Sequence, residues 1–292
     1  MNDILKKLRK YEVHIRKAVN TRMHGDFHSI FKGSGLEFAD VRDYQYGDDV
    51  RTIDWNVSAK GHGTFVKNFR EEKEQIIFFL LDVSASQYLG DGNKKKITIA
   101  NEICGVLTLS AIKESGHVGL ICFSDQKELY IKPGKGLKHA YQLILKLFDL
   151  QPQSKKTDLN KAILYTLSVL KRKSVLIFIS DFIDESYEKN LIALSKKHDL
   201  VLIHISDNRE REFPRLGIIP IIDKETGKKI WINSFSKNFQ KKIKDSFSEN
   251  KSFLENFSNK HNADYLWINS EEEYVSKLIK LFRVRNKSHI VR

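Results

Sequence analysis

Gln75-Ile76-Ile77-Phe78-Phe79-Leu80-Leu81-Asp82-Val83-Ser84-Ala85-Ser86 decides the reading of this chain: an unbroken apolar run stops at an aspartate followed by two spaced serines. A run of this length without polar alternation suits a strand buried on both faces, as in a parallel sheet covered by helices. It is too short to cross a membrane. In open α/β sheets ligands bind beyond the carboxyl ends of the strands, so Asp82, Ser84 and Ser86 are delivered where chemistry or binding is expected.

Working outward, a second such strand is expected at Ser174 to Ser180, and it too ends in an acid, Asp181. Between the two, Ile97, Ala100, Ile103, Cys104, Leu107 and Ala111 make one helical stripe. Val118 to Phe123 and Glu128 to Lys132 read as a hairpin at the sheet edge. Helices are expected over Leu137 to Phe148 and from Leu159 to Leu170, joined by a polar loop at Gln151 to Lys156 and by Thr157-Asp158. A helix near Tyr187 to Lys197 and a strand at Leu200 to Ser206 continue the alternation. Strand, helix, strand at this spacing implies right-handed crossovers and a doubly wound, mainly parallel α/β sheet.

Further on, Ile218 to Ile222 and Lys228 to Ile232 flank Asp-Lys-Glu-Thr-Gly and read as a hairpin. Phe235, Phe239, Ile243, Phe247, Leu254 and Phe257 supply the buried side of a long helical segment. Tyr265 to Ile268 reads as a last strand. Ser270 to Glu273 is patterned as a capping box opening a final helix, with a frayed basic tail after Phe282.

Ahead of the decisive stretch, Asp3 to Asn20 spaces Ile4, Leu8, Tyr11, Ile15 and Val19 as an amphipathic basic helix. Thr21 to Lys73 is punctuated by glycine and dense in Asp and Arg, as expected of turns and short strands, with Thr64 to Phe69 alternating like a half-exposed strand. Trp55 is expected to anchor this segment against the sheet. The organisation expected is a small N-terminal helix plus β-rich segment, residues 1–73, packed on a main domain at 74–292.

The composition, 41% hydrophobic and 30% charged over 292 residues, is that of a soluble, element-rich protein. The net charge of +13 fits non-specific attraction to nucleic acid or an anionic membrane, or merely a lysine-rich solvated surface; the lysines are scattered, which favours the latter. Cys104 and Cys122 sit in apolar segments and read as buried reduced thiols. No signal-peptide pattern follows Met1 and no apolar stretch reaches about 18 residues, so a cytoplasmic protein without a transmembrane segment is expected.

Asp82, Ser84 and Ser86, then Thr157, then Asp181 are hard oxygen donors at loops of the sheet region. That set suits Mg²⁺, with Mn²⁺ or Ca²⁺ as substitutes, and leaves room for waters and an outside ligand. Two carboxylates against a dication leave an open position that an acidic side chain of another molecule could fill. Taken singly, Ser84 and Ser86 could cap the following helix, Thr157 or Asp158 could be an N-cap, and Asp181 a turn residue.

These residues, in this order, resemble the metal-ion-dependent adhesion site of von Willebrand factor A domains. Gly35-Leu-Glu-Phe-Ala-Asp40, Val41-Arg-Asp-Tyr44, Gly47-Asp-Asp-Val-Arg51 and Ile53-Asp-Trp55 resemble the signature of a bacterial family of proteins of uncharacterised function that carry such a domain and are commonly encoded beside MoxR-type AAA+ ATPases. The resemblance spans roughly Gly33 to Asp181. It implies a doubly wound von Willebrand A fold, bound Mg²⁺ at Asp82, Ser84, Ser86, Thr157 and Asp181, and a partner-binding role beside the ATPase or an acidic client. Many relatives carry transmembrane helices ahead of the signature, absent here, and Gln87 replaces a common methionine.

The acids Glu37, Asp40, Asp43, Asp48, Asp49 and Asp54 invite a metal-dependent hydrolase reading, but interleaved Arg42 and Arg51 favour ion-paired turns. No H-E-x-x-H, C-x-x-C, P-loop or G-x-S-x-G pattern occurs, so no catalytic residue is assigned. A basic nucleic-acid-binding module remains a rival on charge alone, without an aromatic-plus-basic motif behind it.

Overall fold

The computed structural model describes residues 36–61, 63–71, 75–91, 95–113, 116–222 and 229–290. The basic helix expected at Asp3 to Asn20 lies outside them, as do the hairpin tip at 223–228 and the glycines before Leu36. The chain forms two compact units, one within Phe31–Gln75 and one that includes Ile76–Arg292.

In the smaller unit, β1 (Leu36–Asp43) pairs antiparallel with β2 (Phe65–Glu71), with a bulge between Phe38 and Asp40. Between them come a 3-10 turn, Val50–Thr52, and a one-turn helix α1 (Trp55–Ser58). Three acids of this segment, Asp48, Asp49 and Asp54, serve local structure. Arg42 forks onto Asp48 at 2.7 and 2.8 Å, Asp49 accepts from Arg51 N, and Asp54 caps α1 by accepting from Asn56 N and Val57 N. Trp55, the first residue of α1, is 68% exposed.

The larger unit begins with β3 (Ile76–Asp82), followed by a 3-10 turn at Ala85–Tyr88, α2 (Lys96–Lys113), β4 (His117–Phe123) and β5 (Lys127–Gly134). It continues through α3 (Leu137–Phe148), α4 (Leu159–Val169), β6 (Val175–Ser180), α5 (Glu188–Lys197), β7 (Asp199–Ser206) and the short α6 (Asn208–Arg211). The hairpin β8 (Ile218–Ile222) and β9 (Lys229–Asn233), the long α7 (Lys237–His261), β10 (Asp264–Asn269) and α8 (Val275–Ile290) complete it.

The main sheet has the order β10-β7-β6-β3-β4-β5, parallel except for the antiparallel edge strand β5. From β3 the chain crosses to β4 on one side, then returns to β6 on the other, so the strand order reverses beside β3. Alternate residues of β3 face opposite layers. Phe78 and Leu80 pack with Leu159, Ile163, Leu191 and Leu254 of the helices α4, α5 and α7, while Ile77, Phe79 and Leu81 are equally inaccessible on the face that α2 covers. Burial on both faces is why this run carries no polar alternation.

Three expectations need correction. Ser270 to Glu273 does not cap the last helix; that helix starts at Val275, and the Ser270 hydroxyl donates instead to Asp207 at 3.2 Å. The helix continues past Phe282 to Ile290 because Arg285, almost fully buried, reaches Asp199 and Asp264 at the starts of β7 and β10. Phe235 lies ahead of α7, whose N-cap is Ser236, and is 61% exposed rather than part of the buried stripe.

Candidate metal centre

Every group of interest lies at the carboxyl end of a parallel strand or in a loop tied to one. Asp82 ends β3 and Asp181 follows β6, and both are buried to within 1% of complete. Asp82 Oδ1 accepts the backbone N–H of Ser84 at 2.9 Å, and Oδ2 accepts the Ser180 hydroxyl at 2.8 Å and Gln87 Nε2 at 3.3 Å. The turn that follows Asp82 folds Ser84 and Ser86 back so that their hydroxyl oxygens lie 3.1 Å apart. Ser84 stands at the N-cap of the 3-10 turn but makes no side-chain capping bond, so its hydroxyl is not spent on that role.

Asp181 joins the same cluster: the Ser86 hydroxyl is within hydrogen-bonding reach of it, and its charge is felt at Asp82. Its Oδ1 accepts from Ile183 N at 3.3 Å, a strand-end turn role, and its Oδ2 accepts from Lys96 Nζ at 2.7 Å. Phe182, buried and directly after it, is held at φ 53, a conformation costly for a bulky side chain and common where function fixes the backbone.

The segment carrying Thr157 is laced to these loops from three directions. Ala85 N donates to Lys155 O at 3.0 Å, Asp158 N to Ser124 O at 3.3 Å, and Leu159 N to Asp184 Oδ2 at 2.7 Å. Glu128 holds the preceding turn by accepting from Gln153 N and Ser154 N. Thr157 therefore sits between loops that follow β3, β4 and β6, while Asp158, not Thr157, is the N-cap of α4.

The electrostatics are those of a buried acid pair with one internal cation. Burial, and then the charge of Asp181, push the Asp82 carboxyl up to about 7 against the hydrogen bonds from Ser84 and Ser180. Burial acts the same way on Asp181, but the Lys96 ammonium outweighs it and holds this acid below the usual carboxylate range. Lys96 itself is completely buried. Desolvation pulls its ammonium down, yet the charges of Asp181 and Glu210 prevail and hold it above its ordinary value. Its Nζ also donates to Glu210, which burial pushes up.

The donor set suits a hard dication. Asp82, Ser84, Ser86 and Asp181 offer only oxygens, and among the described residues no three His, Cys, Asp or Glu side chains gather into a metal-binding cluster, as a soft-metal or all-carboxylate cage would need. Asp82, Asp181 and Glu210 with Lys96 sum to a formal −2, which one divalent cation would neutralise. Next to this centre opens a cleft of about 890 Å³, lined by Phe182, Ile183, Glu210, Phe247 and Asn250 among others. Asn250 also donates to the Asp181 carbonyl at 3.1 Å.

Sequence patterns pointed to the five oxygen donors but missed Lys96, Ser180 and Glu210. Lys96 is hidden at the end of a lysine run, where any one of three looks solvated. Ser180 was visible as the last residue of a strand, immediately before Asp181. Gln87 matters beyond loop packing, because it is buried and its amide donates to Asp82.

The chain is 25% identical over 223 residues to the uncharacterised protein Rv1480 of Mycobacterium tuberculosis, covering 75% of this chain and 70% of that one. It is 27% identical over 99 residues to the uncharacterised protein MAV169 of Mycobacterium avium, 32% of this chain and 59% of the other. Among solved structures it is similar to the conserved hypothetical protein BatB of Bacteroides thetaiotaomicron, at 14% identity and TM-score 0.44, covering 74% of this chain and 99% of that one. The SpRpn10 VWA domain is similar at 13% identity and TM-score 0.41, with 71% and 94% covered. A family model described as "Protein of unknown function DUF58" matches residues 40–252, most of the chain, and the chain belongs to that family.

Proposed function

We propose that this chain is a Mg²⁺-dependent interaction protein, an adaptor that works with a MoxR-type AAA+ ATPase and carries no catalytic centre of its own. The observation behind this reading is the convergence of Asp82, Ser84, Ser86 and Asp181 oxygens at the carboxyl ends of adjacent parallel strands, beside an open cleft. Asp82 and the two serine hydroxyls would hold the ion, Asp181 would bind it or orient a water on it, and Thr157 would approach from the loop before α4. When bound, Mg²⁺ supplies an open coordination position suited to an acidic side chain of a partner. Ser180, Gln87 and Ser84 N orient Asp82, which keeps its oxygens fixed without the cost of ordering them on binding.

The test uses the wild-type chain and Asp82→Ala, each with Mg²⁺ or EDTA, against a purified MoxR-type ATPase from the same source. Retention of the ATPase by the wild type with Mg²⁺ alone is expected, together with a Mg²⁺-induced rise in melting temperature that Asp82→Ala lacks. Equal retention under all four conditions, with no thermal shift, would sink the reading.

A further inference from the structure

Lys96 is the one side chain at this centre whose presence a cation site does not explain. It is the first residue of α2, its backbone N–H is fixed to Leu89 O at 3.1 Å, and its fully buried ammonium bridges Asp181 and Glu210. Glu210 is held independently: it completes a capping box with Asp207, its other oxygen accepting from Asp207 N at 2.9 Å. The lysine therefore meets two acids that other elements have already placed. Asp181 Oδ2 is committed to Lys96 and Oδ1 to Ile183 N, whereas Asp82 is served only by neutral donors.

We infer that Lys96 is a resident cation that sets the charge, and so the affinity, of the proposed metal centre; this rests on the reading of that centre given above. With Lys96 cancelling Glu210, a dication brings the cluster to neutrality and a partner's carboxylate meets no surplus negative charge. Without Lys96 the charge of Glu210 would stand uncancelled near the same dication, which would be held more tightly, and the partner's carboxylate would be repelled. Lys96 thus trades tightness for the metal against room for an acidic ligand. As a positioning residue it also keeps Asp181 from taking the ion with both oxygens.

The test is calorimetric titration with Mn²⁺ alone of the wild type, Lys96→Met and Glu210→Gln, with folding checked by circular dichroism. Removing the ammonium is expected to tighten Mn²⁺ binding by roughly tenfold or more, and Glu210→Gln, which leaves the ammonium uncompensated, to weaken it by a similar factor. A lysine needed only to hold the fold would leave Mn²⁺ binding unchanged or weaker in Lys96→Met and unchanged in Glu210→Gln, whose amide oxygen can still accept from the ammonium. Mn²⁺ binding by the wild type that is unchanged or weakened in Lys96→Met overturns the inference and leaves the metal centre standing. Absence of Mn²⁺ binding in all three proteins overturns both. If Lys96→Met does not fold, Glu210→Gln decides: unchanged or tighter binding overturns the inference.

Discussion

His204, on β7, is buried with its Nδ1 2.9 Å from the Tyr265 hydroxyl and its ring edge-on to Phe182. Desolvation lowers its pKa to about 4, against 6.5 for an unhindered imidazole. The unfolded chain takes up this proton near pH 6.5 and the folded one only near 4, so stability falls as pH drops between those values. His204→Gln, which can still bond the tyrosine, should flatten the pH dependence by about 2 kcal/mol between pH 6.5 and 5, read by urea denaturation at each pH. Gly119 makes a second sharp case. A Cβ there would lie 2.4 Å from the ring of Phe78 on the neighbouring central strand, and that ring is locked in the core. Gly119→Ala is therefore expected to cost about 1–3 kcal/mol, as overpacking does, with the urea midpoint lowered and the slope unchanged.

The last helix, α8, is fastened by Arg285 to the beginnings of β7 and β10, through Asp199 and Asp264. A guanidinium can fork between two carboxylates in a way a single ammonium cannot, so Arg285→Lys should lower stability by about 1–2 kcal/mol rather than leave it unchanged. Thermal unfolding of the two proteins at equal ionic strength checks this. Elements with such dedicated partners were the least legible in the sequence. The strands were readable because double-sided burial leaves an apolar run, as in Ile76 to Leu81 and Val175 to Ile179, and β5 was readable because Ser124-Asp125 turns the chain straight back. The capping box at Ser270 failed because its hydroxyl is taken by Asp207, a residue 63 positions away. Lys96 was invisible for the same reason: Asp181 and Glu210 are close only once the sheet is folded. Local patterns record local bonds: Asp48 pairs with Arg42 as the interleaved charges suggest, while Asp49 and Asp54 hold their turns by accepting from nearby backbone N–H groups.

The strands that carry the candidate centre, β3 and β6, are the middle pair of the sheet, while β5 and β10 form its edges. Loops at the reversal of strand order have free space above them, and Asp82 and Asp181 occupy that place. Among the described residues no helix is long and apolar enough to cross a membrane. Deleting residues 264–292 removes β10 and α8 and uncovers β7, whose interior residues are wholly apolar apart from His204. The shortened chain should associate through that open edge, seen as concentration-dependent species in sedimentation velocity, whereas the intact chain should not show them by this route. The position of β10 also fixes an order of events during synthesis. Asp82, Lys96, Asp181 and Glu210 are all made before the strand that shields β7, so the nascent chain can gather its charged cluster while that flank is still bare. At roughly 5–20 residues per second the bare interval lasts several seconds, long enough for a neighbouring nascent chain on the same message to pair there first.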